Sequence, residues 1–389
     1  MRPRALAANL ALAAAAAVVA LAVAEGALRH VAPVRTRFYE YDPRAIYRPR
    51  PGTAETFTYP HLWPEERTVV LRFNRRGYRG GDEEPPPGAR PVAVFGDSFV
   101  EARLTREEHT FPVRLAALLG APAAVNAGVS GYGPDQELLR LQDELPRLQA
   151  RLVVVVIYAG NDAGDLVRNG LFRLEGERLR ANVWRIDADT RRALEASRGW
   201  RGLALVRALG RVREWAGLGG EARPRASDPG DALAACRQEH EARRREPGLV
   251  QDLLFDHYDA DLALDPAGEP AAAKRRLLRP LLAALRDAAA AARVPLLVVL
   301  VPHPTDATTS WPQQVDAARF PAYTRAALTD TWAAAARAEG VPCVDLFPAF
   351  WAGAADGLYF PRDGHWSGEG QERAARLAAE RVRAEGWLE

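Results

Sequence analysis

Short runs of consecutive apolar residues alternate with longer stretches whose apolar positions recur three and four apart. The runs Pro91 to Phe95, Ala123 to Ala127, Leu152 to Tyr158, Pro295 to Val301 and Val341 to Leu346 predict strands buried on both faces. The stretches Glu107 to Leu119, Pro134 to Leu148, Ala271 to Ala292, Tyr323 to Glu339 and Glu369 to Glu385 predict helices. Thr105 is a candidate cap, with Glu108 three residues later, and Pro134 suits a first helical turn. Strands alternating with helices predict an α/β fold, a parallel sheet covered by helices on both faces.

Two regions break this rhythm. Residues 30 to 90 are rich in proline, arginine and aromatics, with a strand-like run at Thr68 to Phe73 and a stiff polar linker from Asp82 to Gly88. Residues 163 to 270 are less periodic. There, Phe172 to Leu174 and Arg178 to Arg180 suit a hairpin, Arg191 to Trp215 suits two helices, and Gly217 to Asp231 suits a loop. No internal repeat occurs. The organisation expected is a membrane anchor or signal segment over 1–28 and a lead-in with linker over 29–90. A main domain over 91–389 follows, with an insertion at about 165–270.

The first segment sets the expected compartment. Ala5 to Ala24 is interrupted only by Asn9 and follows Arg2 and Arg4. A helix of that length rises about 30 Å, the thickness of a bilayer core, so an N-terminal transmembrane helix with its basic end in the cytoplasm is expected. Ala22-Val23-Ala24 also suits a signal-peptidase site. Helical patterning through Ala27, Leu28 and Arg29 favours retention. Either outcome exports the main domain, anchored in one case and secreted in the other.

Composition narrows the function classes. The chain is 48% hydrophobic and 26% charged with a net charge of +2, so nothing marks it as a nucleic-acid binder. Its positive charge is scattered arginine, with Lys274 the single lysine. The two cysteines, Cys236 and Cys343, exclude a disulfide framework and offer no metal-ligand spacing. Cys343 reads as a core residue, and one Cys236–Cys343 bridge stays open in an oxidising compartment. No cofactor or metal is implied.

Four blocks carry candidate chemistry, each just past a strand or in a late loop, where sites of parallel α/β sheets collect. Phe95-Gly96-Asp97-Ser98-Phe99 presents a serine after the first strand. Asn126-Ala127-Gly128-Val129-Ser130-Gly131-Tyr132-Gly133 lets backbone approach a ligand, so the Gly131 amide can aim at a developing oxyanion. Gly160-Asn161-Asp162 offers a carboxamide as a second donor. Asp363-Gly364-His365-Trp366 pairs an imidazole with a carboxylate to orient it. His303 follows a strand and suits pocket lining, or an alternative base. Trp311, Trp351, Trp366 and Tyr132 suit either sugar stacking or the core.

Taken in this order, the blocks resemble the SGNH/GDSL hydrolase superfamily, whose serine, glycine, asparagine and histidine match Ser98, Gly131, Asn161 and His365. The resemblance covers 91–163 and 295–389. It reaches upstream to Phe73-Asn74-Arg75-Arg76-Gly77-Tyr78-Arg79-Gly80, which is similar to a segment preceding the catalytic domain in membrane-anchored, cell-envelope members. It implies a flavodoxin-like three-layer fold and an acyl-enzyme mechanism with Ser98 as nucleophile, His365 as base and Asp363 as the orienting acid. In the commoner family pattern the aspartate stands three residues before the histidine, where this chain has Arg362. Asp363, two before, is similar to members linked to polysaccharide O-acetylation. The expected substrate is an acylated small molecule or envelope glycan. Hydrolysis, O-acetyl transfer by the same site, and a non-catalytic scaffold or glycan-binding role stay open at this point. Gly128-Val129-Ser130-Gly131-Tyr132 lacks the final glycine of a nucleophile elbow, and neither a phosphate-binding Gly-Lys-Ser/Thr loop nor a His-Glu-x-x-His zinc motif occurs.

Overall fold

The computed structural model describes residues 3–31, 38–59, 67–82, 88–182, 185–186, 228–245, 249–250, 258–352, 357–361 and 363–388. The chain divides into two compact units, one of Met1–Arg37 with Arg191–Arg223, the other of Phe38–Thr190 with Pro224–Glu389. In the first unit the described element is a helix, Pro3–Val31. Its Leu12, Val18, Val19, Leu21 and Val23 are exposed. Among the described residues, however, no helix is long and apolar enough to cross a membrane, so the expected transmembrane helix is not supported.

The second unit is built on five parallel strands: β1 (Val92–Gly96), β2 (Ala124–Gly128), β3 (Leu152–Tyr158), β4 (Leu296–Val301) and β5 (Cys343–Asp345). Their order is β5-β4-β3-β1-β2 and every pairing is parallel. Alternate residues feed opposite layers. Ala93, Phe95, Val153, Val155, Ile157, Val298 and Leu300 pack with the helices Pro134–Leu148, Glu269–Ala291 and Ala327–Ala338. Val92, Val94, Val154, Val156, Leu297, Val299 and Val301 pack with Phe111–Leu118 and Gly368–Ala384. Covering both faces explains why the strands read as continuous apolar runs. In β3, Leu152 to Ile157 are completely buried, each side chain contributing about 1.5–3 kcal/mol relative to exposure.

Several elements differ from the sequence expectation. The helix expected over Glu107 to Leu119 is instead a 3₁₀ turn, Glu107–His109, and a helix, Phe111–Leu118, because Pro112 suits only a first turn. Thr105 is therefore not its cap. The lead-in forms two antiparallel pairs, Tyr39–Asp42 with Ile46–Pro49 and Thr53–Thr58 with Thr68–Phe73. Arg79 bridges the second pair to Asn126 of β2. The hairpin expected near 172–180 is present as Phe172–Glu175 with Arg178–Ala181. A helix, Pro229–Arg245, begins within the expected loop, whereas residues 191–215 lie outside the described residues. Both cysteines are free thiols, so the open disulfide is not formed.

Burial also places acids where ionisation is costly. Burial pushes Asp135 up to about 7, and its Oδ2 has no hydrogen-bond partner among the described residues. A carboxyl raised on folding binds more protons folded than unfolded, so its contribution is complete below the unfolded value and is lost as pH rises towards 7. Asp135→Asn removes that loss. Its melting temperature relative to wild type rises between pH 5 and pH 8 by about 2 °C or more, measurable by calorimetry. A constant difference across that range would contradict the burial argument.

Candidate active site

Ser98 opens a short helix, Ser98–Glu101, directly after β1, and Asp97 caps it by accepting from the Phe99 amide at 2.8 Å. The strand order reverses between β1 and β3, and this switch point is the open crevice of a doubly wound sheet. His365, in the loop before the last helix, comes to the same place. Its Nε2 lies 2.7 Å from Ser98 Oγ, and its Nδ1 lies 2.5 Å from Asp363 Oδ1. Asp363 also accepts from the His365 amide at 3.2 Å, which ties the carboxylate to the loop it orients. Asp363 thus reaches the imidazole despite the shortened spacing. Phe99 packs against both His365 and Trp366, with ring centroids 5.1 and 5.2 Å away.

The glycine block lies against the turn that carries Ser98. Val129 donates to the Gly96 carbonyl at 3.0 Å, and a side chain at Gly128 would collide with the Glu101 amide at 2.2 Å. That close approach requires glycine. Gly131 has φ +77°, a conformation available to glycine at little cost. Among the described residues nothing accepts a hydrogen bond from the amides of Ser98 or Gly131. Glu101, fully buried, accepts from both the amide and the hydroxyl of Ser130 at 2.8 Å. Tyr39 donates to the same carboxylate, and Arg103 pairs with it.

Asn161 follows β3 as the residue preceding the helix Asp162–Asn169 and is buried. Its loop is gripped from the insertion side. The Asp259 amide donates to the Gly160 carbonyl at 2.6 Å, and the Asp259 carboxylate accepts from the Gly164 amide at 3.1 Å. Lys274 then joins Asp259 and Asp261 at 2.7 and 2.6 Å. Cys236, Asp259 and Asp261 are a group of metal-ligand donor types among the described residues, but the Lys274 ammonium lies within bonding distance of all three. A cation is already there. Burial, and next the charge of Asp97, push the Glu137 and Asp162 carboxyls well above the usual range.

His303 has a different place from His365. Its Nδ1 accepts from the Thr305 amide at 3.0 Å, and burial pushes the imidazole down to about 3. It stands between Tyr158 and Tyr258 as a neutral wall, with no nitrogen left to take a serine proton. Tyr132 and Trp366 are core residues at 2% and 1% exposure. Trp351 is 41% exposed, stacked on Phe347 with Arg325 over its ring. Trp311 flanks Gly364 of the loop that carries His365, 3.3 Å from where a side chain there would begin.

Two family models match the sequence. Residues 94–201 match the GDSL-like Lipase/Acylhydrolase family, and residues 257–389 match the SGNH hydrolase-like domain, acetyltransferase AlgX. The domain is SGNH/GDSL hydrolase-like. It is an ester-hydrolysing enzyme by class. No curated relative matches the chain. Solved structures with weak overall likeness include a putative lipolytic protein of the G-D-S-L family from Desulfitobacterium hafniense DCB-2, 10% identical. The match covers 75% of this chain and 98% of that one, with a TM-score of 0.34. The psychrotrophic esterase EstA from Pseudoalteromonas sp. is 11% identical over 76% and 98%, with a TM-score of 0.34. The M. smegmatis aryl esterase is 14% identical over 76% and 99%, with a TM-score of 0.31. At these scores the assignment of the SGNH/GDSL-like domain rests on the family models.

The expected site residues Ser98, His365 and Asp363 are joined by hydrogen bonds, and the Gly131 loop packs on the turn that carries Ser98. The groups that brace the Gly131 loop, Glu101 and Tyr39, and the Asn161 loop, Asp259 and Lys274, have no local motif that would single them out.

Proposed function

We propose that this SGNH/GDSL-like enzyme is an extracytoplasmic serine esterase that removes an O-acyl group, in particular O-acetyl, through a covalent acyl-enzyme. The observation that carries the reading is the hydrogen-bonded series Ser98 Oγ, His365 Nε2, His365 Nδ1 and Asp363 Oδ1 at the switch point. His365 Nε2 takes the Ser98 proton as Oγ bonds to the ester carbon, and the carbonyl electron pair moves to oxygen. The amides of Ser98 and Gly131 and the Asn161 carboxamide receive that charge. As the carbonyl re-forms, the bond to the alcohol oxygen breaks and His365 returns the proton to it. A water then gives its proton to His365 and attacks the acyl carbon. Ser98 leaves with the proton restored, and the free acid is released.

A second reading is favoured by one specific match: the segment carrying His365 matches an acetyltransferase domain. In this reading a glycan hydroxyl replaces water in the second half-reaction, giving a new ester. Trp311, beside the catalytic loop, suits the apolar face of a sugar ring. Purified enzyme is supplied with an acetyl donor, with and without acetylated and deacetylated glycans. Esterase activity releases acetate in proportion to donor consumed. Transfer instead gives acetylated glycan with little free acetate, and would overturn the hydrolytic reading.

Export is part of the proposal. Support comes from Arg2 and Arg4 ahead of the apolar run from Ala5, which suit an export leader. Cell fractionation with alkaline extraction separates a retained segment from a released one, and a cytoplasmic location would sink this part.

A further inference from the structure

The lead-in hairpin touches the Ser130–Gly131 peptide directly through the Tyr47 hydroxyl. Tyr47 is buried, and its Oη donates to the Ser130 carbonyl at 2.8 Å. That carbonyl belongs to the same planar peptide unit as the Gly131 N–H. In a trans peptide the two groups point in opposite directions, so a bond that fixes one fixes the aim of the other. Glu101 holds the preceding peptide by its N–H at 2.8 Å. Side chains thus clamp both peptide units flanking Ser130.

The hairpin carries backbone strain next to this contact. Ile46, immediately before Tyr47, has φ +70°, which is costly for a β-branched residue. It is completely buried, and bonds on either side secure it. Gln136 Nε2 donates to the Ala45 carbonyl at 2.7 Å, and the Tyr132 hydroxyl donates to the Tyr47 carbonyl at 2.6 Å. Strain persists only where surrounding contacts over-determine it, and here they converge on the segment that presents Tyr47.

We infer that Tyr47 is a positioning residue for the Gly131 oxyanion donor, acting through the Ser130–Gly131 peptide. Two effects combine. The hydroxyl orients the peptide plane, and a hydrogen bond to a peptide carbonyl polarises the unit so that its N–H donates more strongly. The lead-in segment therefore completes the catalytic domain. The inference rests on the serine-esterase reading above.

The test compares 4-nitrophenyl acetate with its thiono counterpart, in which sulfur replaces the carbonyl oxygen and accepts weaker hydrogen bonds from the hole. Tyr47→Phe keeps the ring and removes only the hydroxyl. For the oxygen ester, kcat falls about five- to tenfold with KM within about twofold, while the thiono ester loses less than about twofold. Equal losses for the two esters, or no loss, would overturn the inference. So would failure of the variant to fold, since the hydroxyl would then serve stability rather than the amide. Ser98→Ala run alongside separates the two claims. Turnover surviving in Ser98→Ala overturns the serine-esterase reading and this inference with it. An inactive Ser98→Ala beside an unchanged oxygen-to-thiono ratio in Tyr47→Phe overturns this inference alone.

Discussion

Ser98→Ala lowers ester turnover by about 10⁴ or more, and His365→Ala lowers it by a similar factor. The double variant loses little beyond either single one, because a serine without its base and a base without its serine are both unable to form the acyl-enzyme. The basis is geometric: 2.7 Å between Ser98 Oγ and His365 Nε2 makes the two one chemical unit. Steady-state kinetics on a small aryl acetate measures the loss. Labelling with a fluorophosphonate checks its cause, since wild type reacts at Ser98 and Ser98→Ala does not. Near-normal turnover in folded Ser98→Ala would remove the central proposal, and additive losses in the double variant would break the coupling between the two residues.

Asn161→Ala is expected to lower kcat by about 10²–10³ with little change in KM, the cost of losing one preorganised oxyanion donor. The carboxamide is buried on a loop held at Gly160 and Gly164 by Asp259. Removing it does not disturb those main-chain bonds, so the melting temperature should stay within a few degrees of wild type. A loss concentrated in KM would assign Asn161 to substrate binding instead. A large drop in melting temperature would assign it to the fold.

Much of this architecture is legible along the chain. The five apolar runs become the five strands to within one or two residues at each end, because a strand covered on both faces writes burial into consecutive positions. The helices Pro134–Leu148 and Gly368–Ala384 follow their 3.6-residue pattern closely for the same reason. The lead-in was legible only at Thr68–Phe73. Tyr39–Asp42 and Ile46–Pro49 are four residues each, too short to establish a period. Thr105 and Glu108 formed a plausible capping pattern, yet Pro112 moved the helix start to Phe111. Lys274 read as one helical residue among many, and only folding brings it to Asp259 and Asp261.

What the sequence determined by itself is therefore the local part. It includes the alternation of strands and helices, the serine after β1, and the aspartate two residues ahead of His365. Neighbouring residues share a backbone, so their periodicity and spacing already constrain their geometry. Tertiary structure alone decided the rest. It brought position 98 to position 365, Tyr47 to Ser130 and Asp259 to the Asn161 loop. Such contacts depend on strand order and helix packing, which sum over the whole core and leave no mark on the residues that finally meet.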